Sequence, residues 1–169
     1  MFMKKIVVAI DGPAGAGKST IAKLVAEKLG YAYIDTGAMY RAIGLKMLAK
    51  GLPMEESPAL TEMLAETEID FDSGNVFLDG EIVNDRIRTQ EVSKAASDCS
   101  ALGSVRAKLV ELQRKMGQAK SVIMDGRDIG TNVLTDAEYK YFLTATAEER
   151  ALRRHKKKKK KGQESDLAK

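Results

Sequence analysis

The sequence predicts a three-layer α/β fold: a parallel sheet with helices on both faces, interrupted by a small antiparallel β insertion. Three observations lead there. Short apolar runs rich in β-branched residues alternate with segments of helical periodicity, the pattern of parallel strands joined by crossover helices. A glycine-rich turn stands between the first strand and the first helix. Between residues 69 and 88 the period shortens, and Asp79-Gly80 sits between apolar-bearing flanks, a strong hairpin signal.

The first strand is the apolar run Ile6-Val7-Val8-Ala9-Ile10. The first helix places Ile21, Leu24, Val25 and Leu29 at helical spacing and stops at Gly30. A second strand, Tyr31-Ala32-Tyr33-Ile34, ends at Asp35-Thr36-Gly37. The next helix carries Tyr40, Ile43, Met47 and Leu48 and closes at Gly51, with Pro53 beyond. Ser57-Pro58 is an N-cap with proline at the first helical position, and Leu60, Met63 and Leu64 share one face of the short helix it opens.

The insertion follows as three strand-like pieces, Ile69–Phe71, Val76–Leu78 and Glu81–Val83. Ser104 then caps a helix whose Val105, Leu109, Leu112 and Met116 repeat at helical intervals, with Gly117 as its end. Ser121-Val122-Ile123-Met124 is a third core strand, terminating in Asp125-Gly126-Arg127-Asp128, and Tyr139 to Leu143 is a fourth. Thr146 and Glu149 form a capping box that starts a last helix running into the lysines.

At 169 residues the chain is about one domain, long enough to bury a core without staples. The 44% hydrophobic and 31% charged content is that of an ordinary soluble protein. No apolar run approaches the roughly 20 residues that cross a bilayer, and there is no signal-peptide core, so a cytoplasmic protein without a membrane partner is expected. The single cysteine, Cys99, makes no internal disulfide and reads as a small buried side chain; with one histidine besides, a structural zinc site is not expected. Net charge is +4, and the six lysines 156–161 alone exceed that, leaving −2 on the rest. The body is therefore no basic nucleic-acid binder. The lysine run reads as a solvated lid helix, His155 beside it as a surface histidine, and nucleic acid is not the expected partner.

The turn after the first strand carries the chemistry. Gly12-Pro13-Ala14-Gly15-Ala16-Gly17-Lys18-Ser19 fits G-x-x-x-x-G-K-[ST] in the strand–turn–helix setting this motif requires. Glycines let successive N–H groups face one concavity, and the helix N-terminus adds positive potential. Lys18 then serves the β- and γ-phosphates of a nucleoside triphosphate, with Thr20 also in the binding loop, and the Ser19 hydroxyl holds Mg²⁺. Asp125 ends a strand expected beside the first, where a second Mg²⁺ ligand belongs; Asp11 is either an alternative ligand or a turn cap. Ligands of such sheets bind beyond the carboxyl ends of the strands, so the loop, Asp35–Gly37 and Asp125–Asp128 are expected to converge. Arg150, Arg153 and Arg154 lie at i, i+3 and i+4 on one side of the last helix, where guanidinium forks suit phosphate oxygens.

Four segments, in order, resemble the signatures of the bacterial cytidylate kinase family: Asp35 to Arg41, Ile87 to Val92, Asp125 to Thr131 and Glu148 to Arg154. The resemblance runs from Ile6 to about Gly162. It implies the three-layer P-loop NTPase fold of nucleoside monophosphate kinases, with residues 1–60 and 101–145 as the core, 61–100 as the acceptor-nucleotide insertion and 146–169 as a helical lid. It implies transfer of the ATP γ-phosphate to CMP or dCMP. By position, Asp35, Thr36, Ser97, Arg106 and Asp128 stand around the acceptor nucleoside, Arg41 and Arg127 near its phosphate and base, and Arg150, Arg153 and Arg154 on the lid side of the phosphates. Lys18, Arg127, Asp128, Arg150 and Arg154 are the implied catalytic group. The family pattern continues past the lid to a further strand and helix, so the chain is expected to be the visible part of a longer protein, and a monomer. The alternatives are another small-molecule kinase of the UMP/CMP type, or an ATP-binding protein with nucleic-acid affinity through its lysines.

Overall fold

The computed structural model describes residues 4–13, 15–144 and 147–160. Strand β1 (Val7–Asp11) delivers the chain to the glycine loop, and helix α1 (Lys18–Leu29) begins behind Gly17 and stops at Gly30. Both glycines are left-handed, a conformation that strains other residues. Strand β2 (Ala32–Asp35) runs directly into α2 (Thr36–Ala49), where the Asp35 carboxylate accepts from the Ala38 amide at 3.0 Å as N-cap. Ser57 caps α3 (Pro58–Ala65) in the same way, and Leu60, Met63 and Leu64 are all buried, as the spacing predicts.

The predicted insertion is antiparallel. Strands β3 (Ile69–Asp72), β4 (Asn75–Leu78) and β5 (Glu81–Ile82) pair in sequence order through the two-residue turns Ser73-Gly74 and Asp79-Gly80. All four turn residues have φ between 51° and 85°, the primed geometry whose twist matches that of its strands. A 3₁₀ turn (Arg86–Arg88) leads to α4 (Gln90–Cys99), a helix additional to the predicted elements. Thr89 caps it by accepting from the Val92 amide at 3.2 Å, and Val92, Ala95, Ala96 and the fully buried Cys99 form its inner stripe.

Helix α5 (Gly103–Ala119) departs from expectation at both ends. Ser104 is not its cap: the Ser104 amide and hydroxyl both donate to the Glu56 carboxylate, at 3.0 and 2.6 Å. An acid from a distant connection thus satisfies the helix start and opposes its dipole. Gly117 lies inside the helix, where a Cβ would meet Leu134 Cδ2 at 3.1 Å, so it makes room for a neighbour instead of ending the element. Strand β6 (Val122–Gly126), a π-helical turn (Ile129–Val133), β7 (Tyr139–Phe142) and α6 (Ala147–Lys160) complete the order. Thr146 of the predicted capping box and Lys161 lie outside the described residues. His155 is half-buried, not a fully solvated histidine. Among the described residues no helix is long and apolar enough to cross a membrane.

The four core strands form one parallel sheet in the order β2-β6-β1-β7. Alternation along them divides the core. Val8, Ile10 and Ile123 pack with Ala22 and Ala26 of α1, while Ala9, Ile34, Val122 and Met124 join the cluster that contains Met39 and Ile43 of α2 and Leu109 of α5. Helices therefore cover both faces, and the three-layer expectation holds.

Two details of that expectation do not. The apolar stripe predicted for α1 leaves Ile21, Leu24 and Leu29 exposed, and only Val25 packs inward beside the two alanines. The loop that starts α1 at Lys18 fixes its rotation, and this rotation turns the small residues to the sheet. Strand β7 joins the sheet as the expected fourth strand, but among the described residues it pairs with β1 alone, so Tyr139, Tyr141 and Phe142 stand at least half exposed on an edge instead of being buried.

Helices α2 and α4 pack closely at Gly44, where a Cβ would lie 2.9 Å from the Ala96 nitrogen and 3.1 Å from the Ala95 carbonyl carbon. Alanine gains about 1 kcal/mol of helix propensity over glycine, but forcing backbones apart costs roughly 1–3 kcal/mol. Gly44→Ala should therefore lower stability by up to about 2 kcal/mol in urea unfolding. An unchanged or raised midpoint would mean that the two helices separate freely.

Candidate active site

The parallel register sets three polar strand ends side by side. Ile10 stands opposite Asp125, Asp125 opposite Asp35, and Asp11 opposite Gly126. Beyond them opens a cleft of about 730 Å³. The phosphate loop enters it through Gly15, Gly17, Lys18, Ser19 and Thr20, and the β2–α2 junction through Asp35, Thr36 and Arg41. Ser97 of α4 and Arg106 of α5 also line it, with Asp125, Arg127 and Asp128 from the end of β6. The predicted convergence is therefore present.

Each carboxylate at the strand ends meets a different environment. Asp11 accepts from the amides of Ile129 and Gly130 at 2.7 and 2.8 Å, which ties β1 to the π-helical turn. Of the two roles open to it, the structure assigns the cap, although of a turn distant in sequence: both oxygens are already engaged by buried amides. Asp35 caps α2 and lies 3.5 Å from the Arg41 guanidinium. Asp125, 4% exposed, accepts from the Tyr33 hydroxyl at 2.6 Å. Burial first, and then the Asp35 carboxylate, push its carboxyl up to about 7, against the Tyr33 hydrogen bond and the Lys18 and Lys23 ammonium groups.

Lys18 donates to the carbonyls of Gly12 and Pro13 at 2.7 and 3.2 Å, so its ammonium closes its own loop. Burial lowers its pKa, with the Arg127 charge adding to that and three nearby aspartates opposing it. Thr36 donates its hydroxyl to the Asp125 carbonyl at 2.7 Å, which joins the start of α2 to the end of β6. Arg106 and Asp128 form a close ion pair, and Asn132 Nδ2 also donates to Asp128 Oδ2 at 3.3 Å.

Not every predicted residue faces the cleft. Gly12 and Pro13 serve it through Lys18, Ala16 is buried beneath the loop, and Ala14 lies outside the described residues. Arg154 is exposed on α6 and is not among the residues facing the cleft; the side chains of Arg150 and Arg153 lie outside what is described. Sequence reasoning missed Tyr33, Tyr40, Arg88 and Gln113. Gln113 carried a legible signal, being a polar residue within the apolar stripe formed by Val105 and Leu109. Tyr33 carried none, because its reach to Asp125 exists only once β2 and β6 are neighbours.

A metal would find hard oxygen donors here, the Ser19 hydroxyl and the Asp125 carboxylate on one cleft. Among the described residues no three acidic, histidine or cysteine side chains cluster as a complete ligand set. This donor set fits a divalent cation that arrives with its ligand's phosphates, and does not fit a resident all-protein cage.

Residues 8–169 match the model of the family described as cytidylate kinase. A cytidylate kinase of Caldicellulosiruptor saccharolyticus is 58% identical over 168 residues, covering 97% of this chain and 74% of that protein. Those of Caldicellulosiruptor bescii and Clostridioides difficile are 55% and 50% identical over 168 and 165 residues, covering 97% and 98% of this chain and 74% and 76% of theirs. The chain spans about three quarters of the length of these relatives.

The raised Asp125 carboxyl makes a stability prediction for the ligand-free protein. A folded pKa of about 7 against an ordinary 3.8 favours folding of the protonated form. That contribution is complete below pH 4 and is lost as pH rises through 7. Asp125→Asn, which cannot ionise, should gain on the parent as pH rises, by up to about 4 kcal/mol at pH 8. Urea midpoints of both proteins at pH 4.5 and 8 measure this, and a gap that does not widen with pH would show Asp125 ionising normally.

Proposed function

Because the chain belongs to the cytidylate kinase family and gathers its polar strand ends on one cleft, we propose that it transfers the γ-phosphate of ATP to CMP or dCMP. The single observation that carries this is the shared cleft, which the phosphate loop lines together with Thr36, Arg41, Ser97, Arg106 and Asp128. A kinase of this class needs two anionic substrates in line more than it needs covalent chemistry. Holding them so supplies about 7–11 kcal/mol of barrier reduction, far beyond a single acid or base.

In this reading the loop amides, with Lys18 released from Gly12 and Pro13, hold the triphosphate. Arg41 and Arg127 neutralise the acceptor phosphate. An oxygen of that phosphate attacks the γ-phosphorus, the bond to the β–γ bridging oxygen breaks, and ADP and CDP (or dCDP) leave. Ser19 and Asp125 would hold Mg²⁺, which supplies charge neutralisation at the β- and γ-phosphates. Lys18, Arg127 and Asp128 face the migrating group, and Arg150, Arg154 and, on the ATP side, Arg153 join it from the lid helix only on closure. Residues 61–100 form the acceptor-side insertion and 146–169 the lid, whose closure excludes water as a competing acceptor.

Selectivity follows from base chemistry. Cytosine presents an amino donor where uracil presents a carbonyl acceptor, so a site lined with acceptors leaves uracil unpaired. Polar mismatch of this kind gives discrimination on the order of 10⁴-fold in well-built sites. Asp128, already paired with Arg106 and Asn132, and the Ser97 hydroxyl contribute to that edge.

An ADP-release assay with CMP, dCMP, UMP, AMP and shikimate as acceptors tests the reading, which fails should any acceptor but a cytidylate turn over fastest. Lys18→Ala should cut kcat by about 100-fold or more, as the loss of a charge-stabilising donor does. Asp128→Ala should instead act mainly through the acceptor, raising KM for CMP about tenfold or more and eroding the preference over UMP. Equal kinetic defects in the two variants would contradict this division of roles.

A further inference from the structure

Gln113 is a buried polar residue that the roles above leave unused. It is 2% exposed, sits on the inner stripe of α5, and still borders the cleft. Its amide nitrogen donates to the Met39 sulfur at 3.8 Å, and among the described residues its amide oxygen has no partner. Met39 is fully buried in the first turns of α2. A buried carbonyl without a donor is costly, and native interiors seldom keep one.

Its surroundings indicate what the oxygen faces. Arg106, Val110 and Gln113 follow one another at i, i+4 and i+7 along α5 and all border the cleft. They descend about 10 Å from the half-exposed Arg106–Asp128 pair to the buried amide. Val110, Ile129 and Val133 give the cleft apolar wall on the way, suited to the faces of a planar ring. Nearby, the Thr36 hydroxyl proton goes to the Asp125 carbonyl, and Asp128 Oδ2 serves Arg106 and Asn132. The Gln113 oxygen is a buried acceptor beside them, with no donor of its own among the described residues.

We infer that Gln113 is a specificity-determining residue for the acceptor base, its amide oxygen accepting a hydrogen bond from the exocyclic amino group of cytosine. This rests on the CMP-kinase reading above. The Met39 sulfur gives the amide its direction. A thioether is an acceptor only, so it holds the NH₂ end and leaves the oxygen toward the cleft. Turning the amide over to donate to the O4 of uracil would set its oxygen against the sulfur and break the existing contact. The pair Met39–Gln113 thus favours an amino group and disfavours a carbonyl at the same place.

Binding of CMP and UMP to the parent, to Gln113→Met and to Met39→Leu, measured by calorimetry on the intact chain, tests this. Gln113→Met keeps the side-chain length without a strong acceptor. The ratio of UMP Kd to CMP Kd should fall about tenfold, through weaker CMP binding, while ATP binding is unchanged. Met39→Leu conserves volume and is tolerated in cores, but it frees the amide to rotate. The ratio should then fall about threefold through tighter UMP binding, an effect that a purely structural glutamine would not produce. If Gln113→Met does not fold, Met39→Leu decides alone. A parent that prefers CMP, with folded variants whose ratio stays within twofold of it, overturns the inference and leaves the kinase reading intact. A parent with no preference for a cytidylate overturns both.

Discussion

The site depends on the in-register parallel pairing of β1, β6 and β2. That register brings the carboxylates of Asp11, Asp125 and Asp35 to neighbouring strand ends, a like-charge arrangement that a weakly screened interior penalises. The fold answers each charge differently. Two amides hold Asp11, a helix start and Arg41 hold Asp35, and Asp125 has the Tyr33 phenol with the Lys18 ammonium nearby. The carboxylate with the least compensation is the one facing the phosphate loop, and its raised pKa expresses that shortfall.

The paired arginines follow the same logic. Arg41–Asp35 and Arg106–Asp128 are partly exposed, and pairs of that kind contribute roughly 0–1 kcal/mol to stability. Their value lies elsewhere. A guanidinium held by a neighbouring carboxylate loses its rotamer freedom before the ligand arrives, so less ordering remains to oppose binding. Lys18 is restrained in a weaker way, by two carbonyls of its own loop, and can be released by phosphate oxygens that compete for the same ammonium.

Much of this was legible in the sequence, and the failures have a common origin. Glycine, proline and Asx signals are local, so the loop, the Gly30 stop, the Ser57 cap and the Asp79-Gly80 turn read correctly. What depends on a distant partner did not. Ser104 looks like a cap until Glu56 arrives from another connection; Gly117 looks like a stop until Leu134 packs against it. Likewise Asp11 reads as a metal ligand or a cap of its own turn, because the amides of Ile129 and Gly130 are more than a hundred residues away. Helix α4 is a different failure. Its stripe of Val92, Ala95, Ala96 and Cys99 was written locally, but three of the four are small and give a faint apolar signal.

Helix α2 connects the core sheet to the insertion. Its start carries Thr36 and Arg41, and its flank packs on α4, which carries Ser97. Further along, Lys46 donates to Thr67 Oγ1 at 3.0 Å and pairs with Asp79 at 2.5 Å, within the tight turn between β4 and β5. Burial opposes ionisation of Asp79, but the Lys46 ammonium and the Glu68 amide outweigh it and lower its pKa, so the contact persists as an ion pair at neutral pH. A helix gripped at one end by the core sheet and at the other by the insertion transmits displacement along its length instead of absorbing it. Whatever moves the insertion therefore also moves the Thr36 and Arg41 end of the helix.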